Sequence, residues 1–141
     1  MDTSGKQLQC VVVTPEKAVL DEPAEFVALP MYDGELGVLP GRAPLIGRLG
    51  PGELRYQQRG AARRLFVDGG FAQVRADVVT VLTPRAVPAD AIDPQAARQE
   101  LTAAQAVVPK SPGEQDARRR AEQRARAMLR LAGHGGAADG H

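Results

Sequence analysis

The sequence predicts a mainly β fold with an α-helical annex: an N-terminal β-sandwich, residues 1–88, followed by a C-terminal two-helix hairpin, residues 89–141. Three observations predict it. Residues 1–84 hold 25 Leu, Ile, Val and Phe, in short runs broken by Gly and Pro. Residues 85–141 hold 7 such residues but 15 Ala, too little bulky apolar surface for a core of their own. After Pro84 the apolar spacing changes from short alternating runs to a recurrence every three or four residues.

Nine short strands are expected. Gln7–Thr14 is Val-rich and stops at Pro15; Ala18–Leu20 and Phe26–Leu29 follow, the latter bounded by Pro23 and Pro30. Leu36–Leu39 lies between Gly34 and Pro40, and Leu45–Leu49 leads into Gly50-Pro51-Gly52, a strong turn signal. Glu53–Gln58 alternates, with Leu54 and Tyr56 on one side. Arg63–Val67 runs into Asp68-Gly69-Gly70, which fits a tight hairpin turn because glycine tolerates positive φ. Phe71–Arg75, the short turn Ala76-Asp77 and Val78–Thr83 complete the set. Short strands so regularly spaced are the mark of a sandwich or barrel.

The helices have clear starts. Asp93-Pro94 supplies a capping carboxylate and a proline at the first helical position, and Ala97, Leu101, Ala104 and Val108 form a narrow apolar stripe ending at Pro109. Ser111-Pro112-Gly113-Glu114 reads as a capping box. The second helix is expected over 112–132, with Gly133 as its stop and a frayed Gly/Ala-rich tail beyond. Its stripe is thin: Ala117, Ala121, Ala125, Met128 and Ala132. Three acid-to-Arg pairs at i,i+4 are expected along it, Glu114–Arg118, Asp116–Arg120 and Glu122–Arg126.

Composition excludes several functions. The 141 residues carry 18 Lys and Arg against 17 Asp and Glu, so the chain lacks the basic excess of a nucleic-acid-coating protein. One cysteine, Cys10 in a Val-rich strand, makes an intramolecular disulfide impossible and reads as a buried structural thiol. The two histidines, His134 and His141, sit in the tail, where a nucleophile–base pair cannot be held. No phosphate loop occurs, so an enzyme is the least favoured class, with no catalytic residue and no metal site expected. No apolar run approaches the roughly 20 residues of a membrane span, and the polar start lacks a signal peptide, which points to the cytosol or a membrane surface facing it.

Two groups of residues point to partners. Asp33-Gly34-Glu35-Leu36-Gly37-Val38-Leu39-Pro40-Gly41-Arg42-Ala43-Pro44-Leu45 packs glycines and prolines around one acid, Glu35, and one base, Arg42. Leu36, Val38 and Leu45 within it read as core. Residues 114–131 carry 6 Arg (Arg118, Arg119, Arg120, Arg124, Arg126 and Arg130) against 3 acids, which favours an electrostatic partner over a self-neutralised surface. A rival reading, a small nucleic-acid-associated β domain with a basic helix, lacks the exposed aromatic pairs such domains use, since there are 2 Tyr, 3 Phe and no Trp.

The stretch 34–45 resembles the signature of the epsilon subunit of the rotary F-type ATP synthase, Gly-Glu-(Leu/Ile)-Gly-(Ile/Val)-(Leu/Tyr)-Pro-Gly-His-Ala-Pro-Leu, with Arg42 where His is usual. Val12–Lys17, Leu49–Arg55, Phe66–Val74 and Val79–Leu82 are similar to further stretches of that family, in order, so the resemblance covers about 7–84 closely and 85–132 by architecture. It implies a sandwich of about ten strands and a hairpin, in a non-catalytic subunit of the central stalk. The implied partners are the gamma subunit, the c-subunit ring and, through the extended hairpin, the alpha/beta hexamer, with no nucleic acid and no cofactor. It further implies a peripheral place on the cytoplasmic face of the bacterial inner membrane.

Residue by residue, Glu35 matches the acid of a loop facing the c ring and Arg42 the neighbouring His. Arg118, Arg119, Arg120, Arg124 and Arg126 lie on the helix that can extend to obstruct ATP hydrolysis. Ile92-Asp93 match the start of an ATP-binding motif found in some bacterial members, but Ala96 replaces its Arg. Arg98 lies on another helix face, and Pro94 makes Asp93 a cap first.

Overall fold

The backbone of residues 6–139 and the side chains of 6–133 are described by a computed structural model. Its strands are β1 (Leu8–Val13), β2 (Ala18–Ala24), β3 (Phe26–Met31), β4 (Gly34–Val38), β5 (Leu45–Gln58), β6 (Ala61–Arg75), β7 (Val78–Leu82) and β8 (Ala86–Pro88). A 3-10 turn at Ala89–Ala91 leads to α1 (Pro94–Ala106) and α2 (Pro112–Asp139). The strand order is β2-β1-β7-β6-β5-β3-β4, with β8 on the outer half of β6. Only β1 and β7 run parallel; the other described pairs are antiparallel.

Four of the expected nine strands merge into two for a physical reason, and the short β8 brings the described total to eight. Gly50-Pro51-Gly52 and Asp68-Gly69-Gly70 are not hairpin turns. They face each other within one ladder, Leu49 opposite Gly70 and Pro51 opposite Asp68. Both strands bend there together, so β5 and β6 cross from one layer of the sandwich to the other. One layer is β2-β1-β7 with the second half of β6 and the first half of β5. The other is β4-β3 with the second half of β5, the first half of β6, and β8. Each layer therefore shows five strand segments, the about ten strands that the resemblance implies. At the corner Gly70 has φ 102°, and a Cβ there would run into the Leu82 carbonyl oxygen. The true β5–β6 hairpin is Arg59-Gly60, both at positive φ, which the sequence reading missed; it also missed the short β8.

The sandwich core fills the space between the layers with Leu8, Cys10, Val12, Val27, Leu29, Val38, Leu54, Leu65, Val67, Val74, Val79 and Val81. Leu36 and Leu45 pack at its margin. In β6 three consecutive residues are buried, because Leu65 and Val67 face this core while Phe66 points out of the opposite face. A second, smaller core gathers on Phe66: Ala89, Ala97, Ala127, Met128 and Leu131, with Ile92 and Leu129 at its edge. Helix α2 packs against β5, β6 and the 3-10 turn, and α1 packs on α2. The hairpin is thus folded down on the sandwich.

Both helix starts carry the expected cap, although the box at Ser111 is closed on Lys110 N–H rather than on Ser111 N–H. Asp93 accepts from the Gln95 N–H at 3.0 Å, and Ser111 Oγ accepts from the Glu114 N–H at 3.1 Å. The ends differ. Helix α1 stops at Ala106, so Val108 lies beyond it and is exposed; the pre-proline restriction acts already on the residues ahead of Pro109. Helix α2 passes through Gly133, which is not among the positive-φ residues that end a helix. Among its described side chains the buried ones are Ala125, Ala127, Met128 and Leu131, while Ala117 is exposed.

Candidate functional site

The Gly/Pro-rich segment folds as a two-residue turn, Tyr32-Asp33, then β4, then the loop 39–44 that carries the chain from the edge of one layer to the other. Glu35 therefore sits in strand β4 rather than in a loop, opposite Pro30, with 56% of its side chain exposed. Its Oε2 lies 3.4 Å from Arg55 Nη1, and Arg55 continues to Glu53 at 3.7 Å, which in turn holds Arg64 Nε at 2.8 Å. These alternating charges cross the outer face of the layer that also carries Phe66. Arg42 stands in the loop, exposed, and has no described contact with Glu35. The loop is tied down beside it: Gly41 N–H donates to Asp77 Oδ1 at 2.8 Å and Arg42 N–H to the Leu39 carbonyl at 3.3 Å.

The arginines of α2 divide into three sets. Arg119 pairs with Asp116 at 2.8 Å and Arg118 with Glu122 at 3.9 Å, both within the helix. None of the three expected acid-to-Arg pairs forms. Glu114 turns back to accept from the Lys110 N–H at 2.7 Å, and the other acids pair with different arginines. Arg124 leaves the helix altogether: its Nε meets Asp68 Oδ1 at 2.8 Å, on the sandwich corner. Arg120, Arg126 and Arg130 have no carboxylate within 4 Å among the described residues, and all three are exposed. Arg119, Arg120, Arg124, Arg126 and Arg130, with Arg48 from β5, line a cleft of about 1030 Å³ between α2 and the corner. Arg48 stacks on Tyr32, 4.6 Å from the ring centre, a pair that no spacing in the sequence signals.

Beyond this cleft, the outer face of the layer that holds β1, β7 and the second half of β6 stays open. Leu82 lies between Val13 and Phe71 in one row across β1, β7 and β6, and Arg48 extends that row on β5. Phe71 is 52% and Leu82 54% exposed, and Ile46, one row away, is 75% exposed. Three large apolar side chains so exposed on one sheet face exceed the scatter of single apolar residues on a monomer surface. The sequence reading placed these residues in strands but assigned them to no surface; the alternation of β6 after the corner, with Phe71 out and Ala72 in, is the signal that locates them.

Asp93 is committed to the cap of α1. Ala97 is buried and Arg98 exposed, on different sides of that helix. Cys10 is fully buried, and burial together with the nearby Glu22 carboxylate pushes its thiol up to about 12, so it is a poor nucleophile. Among the described residues no three His, Cys, Asp or Glu are grouped to hold a metal ion, and no helix is long and apolar enough to cross a membrane. The side chains of His134 and His141 lie outside the described residues.

Residues 7–89 match the family described as ATP synthase, Delta/Epsilon chain, beta-sandwich domain. An ATP synthase epsilon chain of Rhodopirellula baltica is 54% identical over 123 residues, 87% of this chain and 96% of that one. The chain belongs to the ATP synthase epsilon family. An epsilon chain of a Synechococcus species is 42% identical over 127 residues, covering 86% of this chain and 92% of its own length. Epsilon is a non-catalytic subunit of the ATP synthase. The fold also matches a chain in the structure of the Euglena gracilis mitochondrial ATP synthase OSCP, F1 and c-ring, with TM-score 0.68 and 28% identity over 88% of this chain and 76% of that one. A chain of the Tetrahymena thermophila mitochondrial ATP synthase central stalk and c-ring shares the fold at TM-score 0.65 and 13% identity. The two alignments cover 87% and 86% of this chain, which takes in α1 and the start of α2 as well as most of the sandwich.

Proposed function

We propose that the chain is a rotor subunit of the central stalk, coupling the catalytic sector of an ATP synthase to its c ring. The sandwich binds the gamma subunit through its open apolar face and presents Glu35 and Arg42 toward the polar loops of the c ring. The hairpin, when it leaves the sandwich, extends its arginines to the alpha/beta hexamer and slows ATP hydrolysis. The assembly lies at the cytoplasmic face of the bacterial inner membrane, held by its partners. The observation that carries the reading is the unequal use of the two sandwich faces. One is covered by the chain's own hairpin through a small core; the other leaves Phe71, Leu82 and Ile46 in water. A permanent protein partner on that open face explains why a chain with so few aromatic residues exposes one there.

The test is co-purification with the gamma subunit. Wild type forms a stable complex, and Phe71→Glu with Leu82→Glu abolishes it while leaving the sandwich folded. Nucleic acid in place of gamma would overturn the reading. Glu35→Gln with Arg42→Gln leaves the gamma complex intact and lowers ion-driven ATP synthesis in reconstituted enzyme; unchanged synthesis means that these two are only solvated charges.

A further inference from the structure

The cation set on α2 contains one member that does the opposite of its neighbours. We propose that Arg124 and Asp68 form a latch that holds the hairpin docked, so that Arg124 opposes extension while Arg120 and Arg126 are the arginines free to serve it. The second half of this statement rests on the brake reading above; the first half does not.

The geometry is that of a built contact. Arg124 Nε and Asp68 Oδ1 are 2.8 Å apart, with 30% and 17% of their side chains exposed, so water and salt screen this pair less than a surface pair. Asp68 is held firmly. Its N–H donates to Thr83 Oγ1 at 3.1 Å and to the Arg85 carbonyl at 3.0 Å, and Thr83 is almost fully buried. The next two residues, Gly69 and Gly70, form the corner that fixes where Asp68 points. Among the described ion pairs this one alone joins α2 to the sandwich. Arg85–Glu100 joins the start of the linker to α1, but at 3.7 Å and with both side chains more than two-fifths exposed.

The rest of the docked contact is modest: Phe66 against Met128, Leu131 and small alanines. One partly buried charge pair therefore adds measurably to what keeps the hairpin down. Asp68 has a second effect. It and Asp116 are the acids of a cleft lined by six arginines, and Asp116 is already paired with Arg119. Removing Asp68 leaves Arg124 facing Arg48, Arg120, Arg126 and Arg130 uncompensated; removing Arg124 lowers the repulsion. Loss of the acid should thus loosen the hairpin more than loss of the base.

The test is amide hydrogen exchange on the isolated full-length chain. Arg124→Gln accelerates exchange in residues 124–131 roughly fivefold to tenfold, and Asp68→Asn accelerates it more, while β1 and β7 are unchanged. Gln has a helix propensity close to that of Arg, and Arg120→Gln serves as control, leaving α2 exchange as in wild type. The reversed pair, Asp68→Arg with Arg124→Asp, restores slow exchange relative to either reversal alone. Equal exchange in wild type, Arg124→Gln and Asp68→Asn, or no rescue by the reversed pair, overturns the latch. In the assembled complex Arg124→Gln then lowers ATP hydrolysis, whereas Arg120→Gln with Arg126→Gln raises it. Altered exchange with no change in hydrolysis keeps the latch and rejects the brake.

Discussion

Cys10 shows how a single side chain can carry a measurable pH dependence without any catalytic part. Folding removes its thiol from water, and Glu22 disfavours the thiolate further, so its pKa rises from 9.0 to about 12. The folded chain then holds a proton that the unfolded chain loses above pH 9. Stability is fully present below that pH and falls as pH rises toward 12, by up to about 1.4 kcal/mol per unit. Tyr56 is raised by the same two causes and acts in the same direction. Urea midpoints flat from pH 7 to 9 and declining above it are expected, and Cys10→Ala, less stable throughout, should decline less steeply. An equal decline in both chains would mean that Cys10 does not hold its proton. At this scale the sequence was legible where chemistry is local. The Val-rich context of Cys10, the cap at Asp93 and the cap at Ser111 all need only near neighbours. The partner of Arg124 was not legible, because it lies 56 residues away across the fold.

At the scale of elements, Phe66 joins two structures that the composition had separated. It is the largest side chain fully buried, yet it faces away from the sandwich core and toward Ala127, Met128 and Leu131. Phe66→Ala should therefore spare a fragment ending at residue 88, whose stability changes by less than about 0.5 kcal/mol, because the ring is already in water there. In the full chain the same change removes the anchor of α2, a loss of about 3 kcal/mol or more, and circular dichroism should show the helical signal melting before the sheet. A parallel loss of stability in the fragment would mean that Phe66 supports the sandwich itself. A helical fragment 89–141 alone should give no cooperative melt, since its stripes are mostly Ala. Element types were readable from apolar spacing. The merging of four expected strands into β5 and β6 was not, because Gly-Pro-Gly and Asp-Gly-Gly signal a bend equally well whether the ladder ends there or continues through it. The helix stripe was misread for a similar reason: periodicity shows which residues share a face, but not how far along the helix a neighbour covers it.

The whole molecule pairs a large core between the sheet layers with a small one under the hairpin, the arrangement that the proposed two-state hairpin needs. On the proposed reading the sandwich stays intact whichever position the hairpin takes. The 28 residues of α2 span roughly 42 Å. On that reading the exposed Arg120 and Arg126, with no carboxylate within 4 Å among the described residues, give the extended state something to bind with, and ionic strength should weaken that hold. The most direct measurement is ATP hydrolysis by the soluble catalytic complex reconstituted with the full chain or with a chain truncated after Pro109, both assembled to the same extent. Faster hydrolysis with the truncated chain, and a smaller difference in high salt, is the result expected of a hairpin that acts as a brake. Equal rates with the two chains would contradict it.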